Sequence, residues 1–218
     1  MEAISIFKER LTMSTVEERD LWRQRFFEAQ AGMERYLLET YGLDEMSRWM
    51  PVRAAILKDL AGEVETAEDI QTWKERFFRA QARLEKYVAD HHGLEDLDRW
   101  TAATGQVFKL TEPDRGGGAA DFARRLARQA HLYRSDYEIE HAENDYARVV
   151  LHRCAIWEYR EQARQRGVTL TLQSPCQYCT KATVANAGSK GYAATFELRN
   201  GGANHGCIWE IKNENGRH

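Results

Sequence analysis

Long apolar segments and an excess of basic charge are both missing from this chain of 218 residues. No window approaches the roughly 18 apolar residues of a membrane span, and the N-terminal MEAISIFKERL lacks the apolar run of a signal peptide. The formal net charge of −3 argues against general nucleic-acid binding, which needs a basic surface to displace counterions. We therefore expect a cytoplasmic protein that binds neither membrane nor nucleic acid.

Cysteine is scarce and unevenly distributed. None occurs among residues 1–153, and the four that are present stand in RCAIW (153–157), SPCQYC (174–179) and HGCIWE (205–210). In a reducing compartment a C-x-x-C pair is more often metal-binding or catalytic than a structural disulfide. The clustering predicts a shared site for the thiols, or for a metal that they hold.

The first hundred residues contain a duplication. LWRQRFFEAQAGMERYLLETYGLDEMSRW (21–49) aligns with TWKERFFRAQARLEKYVADHHGLEDLDRW (72–100), and every matched pair is offset by 51 residues. The pattern of each copy predicts a long helix that ends at Gly42 or Gly93, followed by a second helix. The long helix of the first copy carries an apolar stripe at helical spacing, which the second copy repeats: Trp22, Phe26, Ala29, Met33 and Leu37.

Two interpretations of the duplicated region stay open. The copies would pack as a pseudo-symmetric pair of helical hairpins that serves as a scaffold, a lid or a homodimer surface. Alternatively, their aromatic side chains line a ligand groove; the candidates are Trp22, Trp49, Trp73 and Trp100. A Trp/Phe stripe at helical spacing is more often core, which favours the first interpretation.

A flexible segment separates this region from a different architecture. TEPDRGGGAAD (111–121) contains one proline and three consecutive glycines, which predicts a domain boundary. We expect a duplicated all-helical region over residues 1–110 and an α+β domain that bears the cysteines over residues 119–218. The second domain opens with a helix predicted from about Asp121 to Tyr133.

The remaining pattern predicts an antiparallel sheet. DYEIEHAE (136–143) and YARVVLHRC (146–154) flank a two-residue turn at Asn144–Asp145. Two helices follow, AIWEYREQARQRG (155–167) and SPCQYCTKATVANAG (174–188), the second with Ser174 as N-cap and Pro175 at its first position. The strands YAATFELRN (192–200) and HGCIWEIK (205–212) close the chain. The order β-β-α-α-β-β predicts an α+β fold with helices against one face.

Strict alternation along the first two strands predicts one mixed face. It carries Tyr137, Ile139, His141, Arg148, Val150, His152 and Cys154. Apolar, cationic and thiol groups together are typical of a lined pocket, although a one-residue slip would exchange the two faces. On this basis we expect Arg148 to clamp a substrate carboxylate by bidentate hydrogen bonding, and His141 and Tyr137 to contact the substrate.

The cysteines allow three roles. If the predicted helices form, three of the four stand at helix N-termini, where free N–H groups and the macrodipole favour the thiolate. A zinc ion or an iron–sulfur cluster would take all four as ligands, namely Cys154, Cys176, Cys179 and Cys207. Nucleophilic catalysis would instead use Cys176 or Cys179 with His152 or His205 as proton carrier. Buried structural cysteines without chemistry are the third reading.

At these residues the chain resembles the L-2-amino-thiazoline-4-carboxylic acid hydrolase-like family and, more distantly, ligand-binding domains of the vinyl-reductase type. The resemblance covers about residues 135–212. It is carried by a strand that runs into a cysteine and a helix (HRCAIWEYREQARQRG), by the C-x-x-C helix (SPCQYC) and by the closing hairpin (RNGGANHGCIWEI). It implies cleavage of a C–N or C–S bond in a small heterocyclic or amidine-like molecule.

Together these patterns predict a small-molecule hydrolase or lyase whose chemistry depends on the cysteine cluster. The alternative is a metal-binding or ligand-binding sensor without catalysis, holding zinc, an iron–sulfur cluster or a small molecule. A purely structural interaction protein is the third hypothesis.

Overall fold

The computed structural model describes residues 12–61, 69–113, 115–201 and 204–213. It confirms the predicted α+β class, with several helices followed by an antiparallel sheet of four strands. The chain divides into two compact units, which we call the helical unit (residues 13–111 with 171–173) and the sheet unit (mainly 112–170 and 174–213). None of the helices in the described ranges has the length and apolar composition needed to cross a bilayer.

The described part of the helical unit forms three helices and a short 3-10 turn. They are α1 (Thr15–Ala61), α2 (Ile70–His91), the turn Leu94–Asp96, and α3 (Leu97–Thr111). Within α1 the residue Gly42 is not helical, with φ 80° and ψ −169°. Gly93 takes nearly the same conformation, with φ 88° and ψ 164°. Because a positive φ strains a residue with a Cβ, both copies stop their first helix at glycine.

Local side chains cap the two long helices. At the start of α1 the backbone N–H of Ser14 donates to Glu17 Oε2 over 2.8 Å, and Glu17 N donates to Ser14 Oγ over 3.3 Å. This is a reciprocal capping box. At the start of α2 the carboxylate of Asp69 accepts from the backbone N–H groups of Gln71 and Thr72. Each cap satisfies amide groups that the helix itself leaves free.

The aromatic stripe is the core of the helical unit. Trp22, Trp49, Trp73 and Trp100 are each at most 1% exposed. Rings from the two copies interleave: Trp22 lies 5.6 Å from Phe77 and Trp73 lies 5.9 Å from Phe26, measured between ring centroids. Side chains this deeply buried do not line an open groove, so the ligand-groove alternative is wrong.

Polar pairs cross between the copies in the same pseudo-symmetric way. Tyr36 Oη donates to Asp96 Oδ2 over 2.6 Å. The equivalent pair, shifted by 51 residues, is Tyr87 Oη donating to Glu45 Oε1 over 3.3 Å. Near them Tyr41 also donates to Asp96. The duplication is therefore visible in buried polar contacts as well as in apolar packing.

The sheet unit follows the predicted order of elements. Its elements are α4 (Ala119–Leu132), β1 (Asp136–Ala142), β2 (Tyr146–Arg153), α5 (Ala155–Gln165), α6 (Gln177–Ser189), β3 (Tyr192–Gly201) and β4 (Asn204–Asn213). The antiparallel strand order is β1-β2-β4-β3. Helix α4 packs against β1 and β2, and α6 packs against β3. The predicted turn at Asn144–Asp145 is confirmed, since Glu143 N donates to Tyr146 O.

The start of α6 differs from the prediction by two to three residues. Ser174 is not the N-cap, because Gln177 N donates to Ser174 O over 3.2 Å and closes a separate turn first. The helix begins at Gln177, and Cys176 occupies the cap position. Both cysteines of the C-x-x-C pair consequently lie at the N-terminal end of α6, with Cys176 as the cap residue and Cys179 in the first turn.

A β-bulge overturns the predicted mixed face. Ile139 pairs with Val149 but His141 pairs with Arg148, so Glu140 is an extra residue in β1. Strict alternation therefore fails there. The face that the helices cover carries Ile139, Ala147 and Val149, all 7% exposed or less. It is continued by Trp209 and Ile211 of β4, which pair directly with Val149 and Ala147.

Candidate functional site: a cavity lined by four thiols

A cavity lies in the sheet unit between the helix-covered face of the sheet and helices α4, α5 and α6. We call it the thiol cavity. Its volume is about 630 Å³ when the open mouth is included. The lining includes all four cysteines, His205, and the apolar or aromatic side chains of Leu126, Tyr133, Leu151, Trp157, Leu198 and Trp209. Small-molecule sites are typically concave, mainly apolar and supplied with a few polar groups.

The four cysteines reach the cavity from different elements. Cys154 is the N-cap of α5, directly after β2. Cys176 and Cys179 come from the start of α6. Cys207 lies in β4, opposite Leu151 on one side and Leu198 on the other. All four are free thiols and only partly buried, so the fold brings together at one cavity residues that are up to 53 positions apart in the chain.

Cys176 is in contact with a histidine. Its Sγ lies 3.1 Å from His205 Nε2, a distance at which a thiol donates to a neutral imidazole that carries its proton on Nδ1. The ring of His205 stacks on Trp157, with centroids 4.5 Å apart and planes inclined by 9°. The indole therefore holds the imidazole in one orientation beside the sulfur.

The backbone around His205 is equally constrained. His205 O accepts from Cys154 N over 2.7 Å, which joins the start of β4 to the start of α5. The next residue is Gly206, and a Cβ there would collide with the carbonyl oxygen of Leu151. Because β4 runs that close to β2, only glycine fits between His205 and Cys207.

Burial, rather than the helix N-termini, decides the ionisation of the thiols. It raises the pKa of Cys176 to about 12, with a further contribution from the neighbouring Cys179 and Cys154. Burial also raises the pKa of Cys207. It raises that of Cys154 although the backbone N–H groups of Trp157 and Ile156 act in the opposite direction. At Cys154 and Cys176 the expectation that helix N-termini favour thiolates is wrong, because desolvation raises the pKa of both thiols.

Burial favours the neutral form of the imidazole as well as that of the thiol. Burial lowers the pKa of His205, so the ring is neutral at pH 7. The resting pair is therefore a neutral thiol beside a neutral imidazole. It differs from a thiolate–imidazolium pair, in which the sulfur is ionised before a substrate arrives.

Three predicted site residues lie away from the cavity. Arg148 Nε is 3.2 Å from Glu140 Oε2, and His152 Nε2 is 3.5 Å from Glu138 Oε2. With His141, which pairs with Arg148, they occupy the sheet face opposite the helices. Their predicted roles as carboxylate clamp, proton carrier and substrate contact at a site shared with the cysteines are wrong. Two register shifts between the strands, at Glu140 in β1 and at His152 in β2, break the regular alternation on which the prediction depended.

Tyr137 has a different outcome. It pairs with Leu151, which lines the cavity, so Tyr137 belongs to the helix-covered face. The residues that line the thiol cavity nevertheless do not include it. Of the predicted histidines and substrate contacts, His205 alone is among the lining residues of the described chain.

Several polar groups at the cavity were not anticipated. Gln129 of α4 lines it, and its Oε1 accepts from the buried Arg125 Nη1 over 3.1 Å. Ser135 Oγ, also at the cavity, accepts from Ala155 N and so caps α5. The sequence signal was weak, because Gln129 lies on a helix that the pattern predicts only as an apolar packing element.

The described residues do not form a ready metal site. No group of three or more His, Cys, Asp or Glu side chains within those ranges is placed to hold a metal ion.

Comparisons of the chain with protein-family models, with curated proteins and with solved structures find no match. The resemblance to the thiazoline-carboxylate hydrolase-like family therefore stays an expectation.

Proposed function

We propose that the thiol cavity is the active site of a hydrolase or lyase that acts on a C–N or C–S bond of a small heterocyclic or amidine-like molecule. The observation that supports this most directly is the 3.1 Å contact between Cys176 Sγ and His205 Nε2 inside the cavity. A nucleophile within hydrogen-bond reach of a base, itself oriented by a third group, is the usual arrangement for covalent catalysis. Trp157 is that third group.

The proposed reaction begins with Cys176. Its sulfur attacks the electrophilic ring carbon while His205 Nε2 takes the thiol proton. The C–N or C–S bond then breaks, and the leaving nitrogen or sulfur receives the proton from His205. Water, activated by the now neutral imidazole, hydrolyses the resulting thioester-like or thioimidate-like adduct and restores the thiol. The thiol proton thus passes through His205 to the leaving group, and a proton of the attacking water passes through the same imidazole to the regenerated thiol.

Proton transfer must accompany the attack. With a pKa of about 12, the Cys176 thiol does not ionise beforehand at neutral pH. A base with a pKa below its usual value is well suited to release the proton again to the leaving group. Partial burial, which disfavours the separated ions, favours the concerted route.

The proposal is tested with a panel of 2-thiazoline, 2-aminothiazoline, thiazolidinone and hydantoin, followed by mass spectrometry of ring-opened products. We expect Cys176→Ser to lower turnover at least about a hundredfold, because serine is a poor nucleophile without a stronger base. Cys207→Ser is the matched control, since within the described ranges its sulfur has no imidazole contact like that of Cys176, and it should lose far less turnover. Undiminished turnover by Cys176→Ser, or a panel that is neither opened nor adds covalently to Cys176, would contradict the proposal.

The gathering of all four cysteines at one cavity also supports a second proposal, a sensor that binds zinc, an iron–sulfur cluster or a small molecule without catalysis. Elemental analysis of anaerobically purified protein tests the metal form. Brown colour with absorbance near about 400 nm is expected for an iron–sulfur cluster, and stoichiometric zinc for a thiolate site. Metal-free protein that turns over the panel excludes this second proposal.

A further inference from the structure

The walls of the thiol cavity carry no formal charge. Its lining residues in the described chain are apolar, aromatic, thiol, hydroxyl, amide or imidazole side chains, and none is Asp, Glu, Lys or Arg. The imidazole of His205 has a lowered pKa and the thiol of Cys176 a raised one. The interior is therefore electrically neutral near pH 7.

Two cations, Arg160 and Arg125, lie near the cavity but are not among its lining residues. The charge of Arg160 lowers the pKa of Cys154 and Cys176, but it is the smallest of the influences on each and is outweighed by burial. Arg160 Nη1 donates to Pro175 O over 3.4 Å. Arg125, which is 4% exposed, donates to Gln129 Oε1. Because Gln129 uses its oxygen for that bond, its amide nitrogen is the group that can donate to a ligand. The polar recognition that this cavity offers is thus neutral hydrogen bonding.

From these contacts we infer the substrate class: the thiol cavity takes an uncharged, largely apolar small molecule and rejects carboxylates and other ions. The inference rests on the proposed function, whose substrate it narrows. A carboxylate moved into this lining would lose its hydration without gaining a cationic partner, which is strongly unfavourable. A neutral ring of the same size would lose little.

Iodoacetamide and iodoacetate test this directly, because they have nearly the same size and reactive carbon but differ by one negative charge. Each thiol displaces iodide, and tryptic peptides report Cys154, Cys207 and the Cys176–Cys179 pair separately. The ratio of the two rate constants in the folded protein is divided by the ratio in the urea-unfolded chain. At Cys176–Cys179 we expect this normalised ratio of the iodoacetamide rate constant to the iodoacetate rate constant to be tenfold or more.

The inference would be overturned if this normalised rate ratio were below tenfold, or if iodoacetate reacted faster. It would also be overturned if the thiols reacted with neither reagent faster than the protein unfolds. The last result means that the cavity does not admit even a small neutral molecule. None of these readouts requires turnover. Failure of the proposed function, seen as full activity in Cys176→Ser, is thus distinguishable from failure of the charge selection.

A substitution at the mouth gives a second test. Leu198 lines the cavity from β3, pairs with Cys207 and is 38% exposed, so a longer polar side chain is tolerated there. Leu198→Lys should raise the relative rate of iodoacetate at least threefold over the matched variant Leu198→Gln. Equal ratios in the two variants would show that charge at the wall does not control entry.

Discussion

The ionisation of Cys176 leads to a quantitative prediction. Burial raises the pKa of this thiol from 9.0 to about 12, so at a given neutral pH it holds about a thousandfold less thiolate than an unfolded cysteine. A purely thiolate-driven alkylation would be slowed by that factor. His205 Nε2, 3.1 Å away, offers another route, in which the imidazole removes the proton as the sulfur attacks.

The two routes differ in their dependence on pH. Thiolate-driven alkylation rises about tenfold for each pH unit below the thiol pKa. Base-assisted alkylation requires only neutral His205, whose pKa is lowered by burial, so it is flat from about pH 7 to 9. We expect iodoacetamide to alkylate native Cys176 with such a plateau, and His205→Gln to replace the plateau with the tenfold rise.

Rate constants from pH 6 to 11 provide the measurement, read from fragment ions that distinguish Cys176 from Cys179 in their shared tryptic peptide. His141→Gln is the matched control, because His141 lies on the opposite face of the sheet and its loss should leave the plateau intact. In His205→Gln only the thiolate route remains, so an alkylation rate that already levels off at or below pH 9 in that variant would refute the argument that burial raises the pKa of Cys176. An unchanged profile in His205→Gln would refute the role of the imidazole.

Three further predictions concern stability, each measured by urea unfolding. Asp96→Asn should cost about 2–3 kcal/mol, because this buried carboxylate accepts from Tyr36 and Tyr41, whereas its more exposed counterpart Glu45→Gln should cost under about 1 kcal/mol; equal losses would contradict this. Gly42→Ala should cost about 1–2 kcal/mol through its positive φ alone, since no atom of the described chain beyond the two neighbouring residues lies within 4 Å of the new Cβ. Stability should fall as pH rises from 9 towards 12, because the folded-state pKa of Cys176 is raised and its contribution is complete only below the unfolded value; a flat profile there would count against it.

Local chemistry predicted most of the fold. Period-two alternation and the Asn144–Asp145 turn predicted β1 and β2 within one residue of their observed bounds, since both signals act over a few neighbouring residues. The duplication predicted that Gly42 and Gly93 would end equivalent helices, and their matching φ values confirm it. Burial of the aromatic stripe follows from its helical spacing in the same way.

The sheet face required the tertiary structure. A bulge at Glu140 inserts one residue into β1 and reverses the alternation beyond it. Nothing in DYEIEHAE distinguishes a bulged strand from a regular one. Arg148 and His152 were predicted to share a face with Cys154 because regular alternation was assumed along β2. A second register shift leaves His152 as an extra residue between Leu151 and Arg153 and breaks that alternation. The side chains of Arg148 and His152 therefore lie beside Glu140 and Glu138 on the opposite side of the sheet.

The sequence by itself determined the α+β class, the element order and the concentration of thiols in one region, because each follows from spacing along the chain. Only the tertiary structure decided which side chains meet and whether they are ionised. The contact of Cys176 with His205 joins residues 29 positions apart, and it depends on strand pairing that local propensity does not encode. The helix N-terminus predicted a thiolate at Cys176, but burial by side chains from distant segments raises its pKa instead.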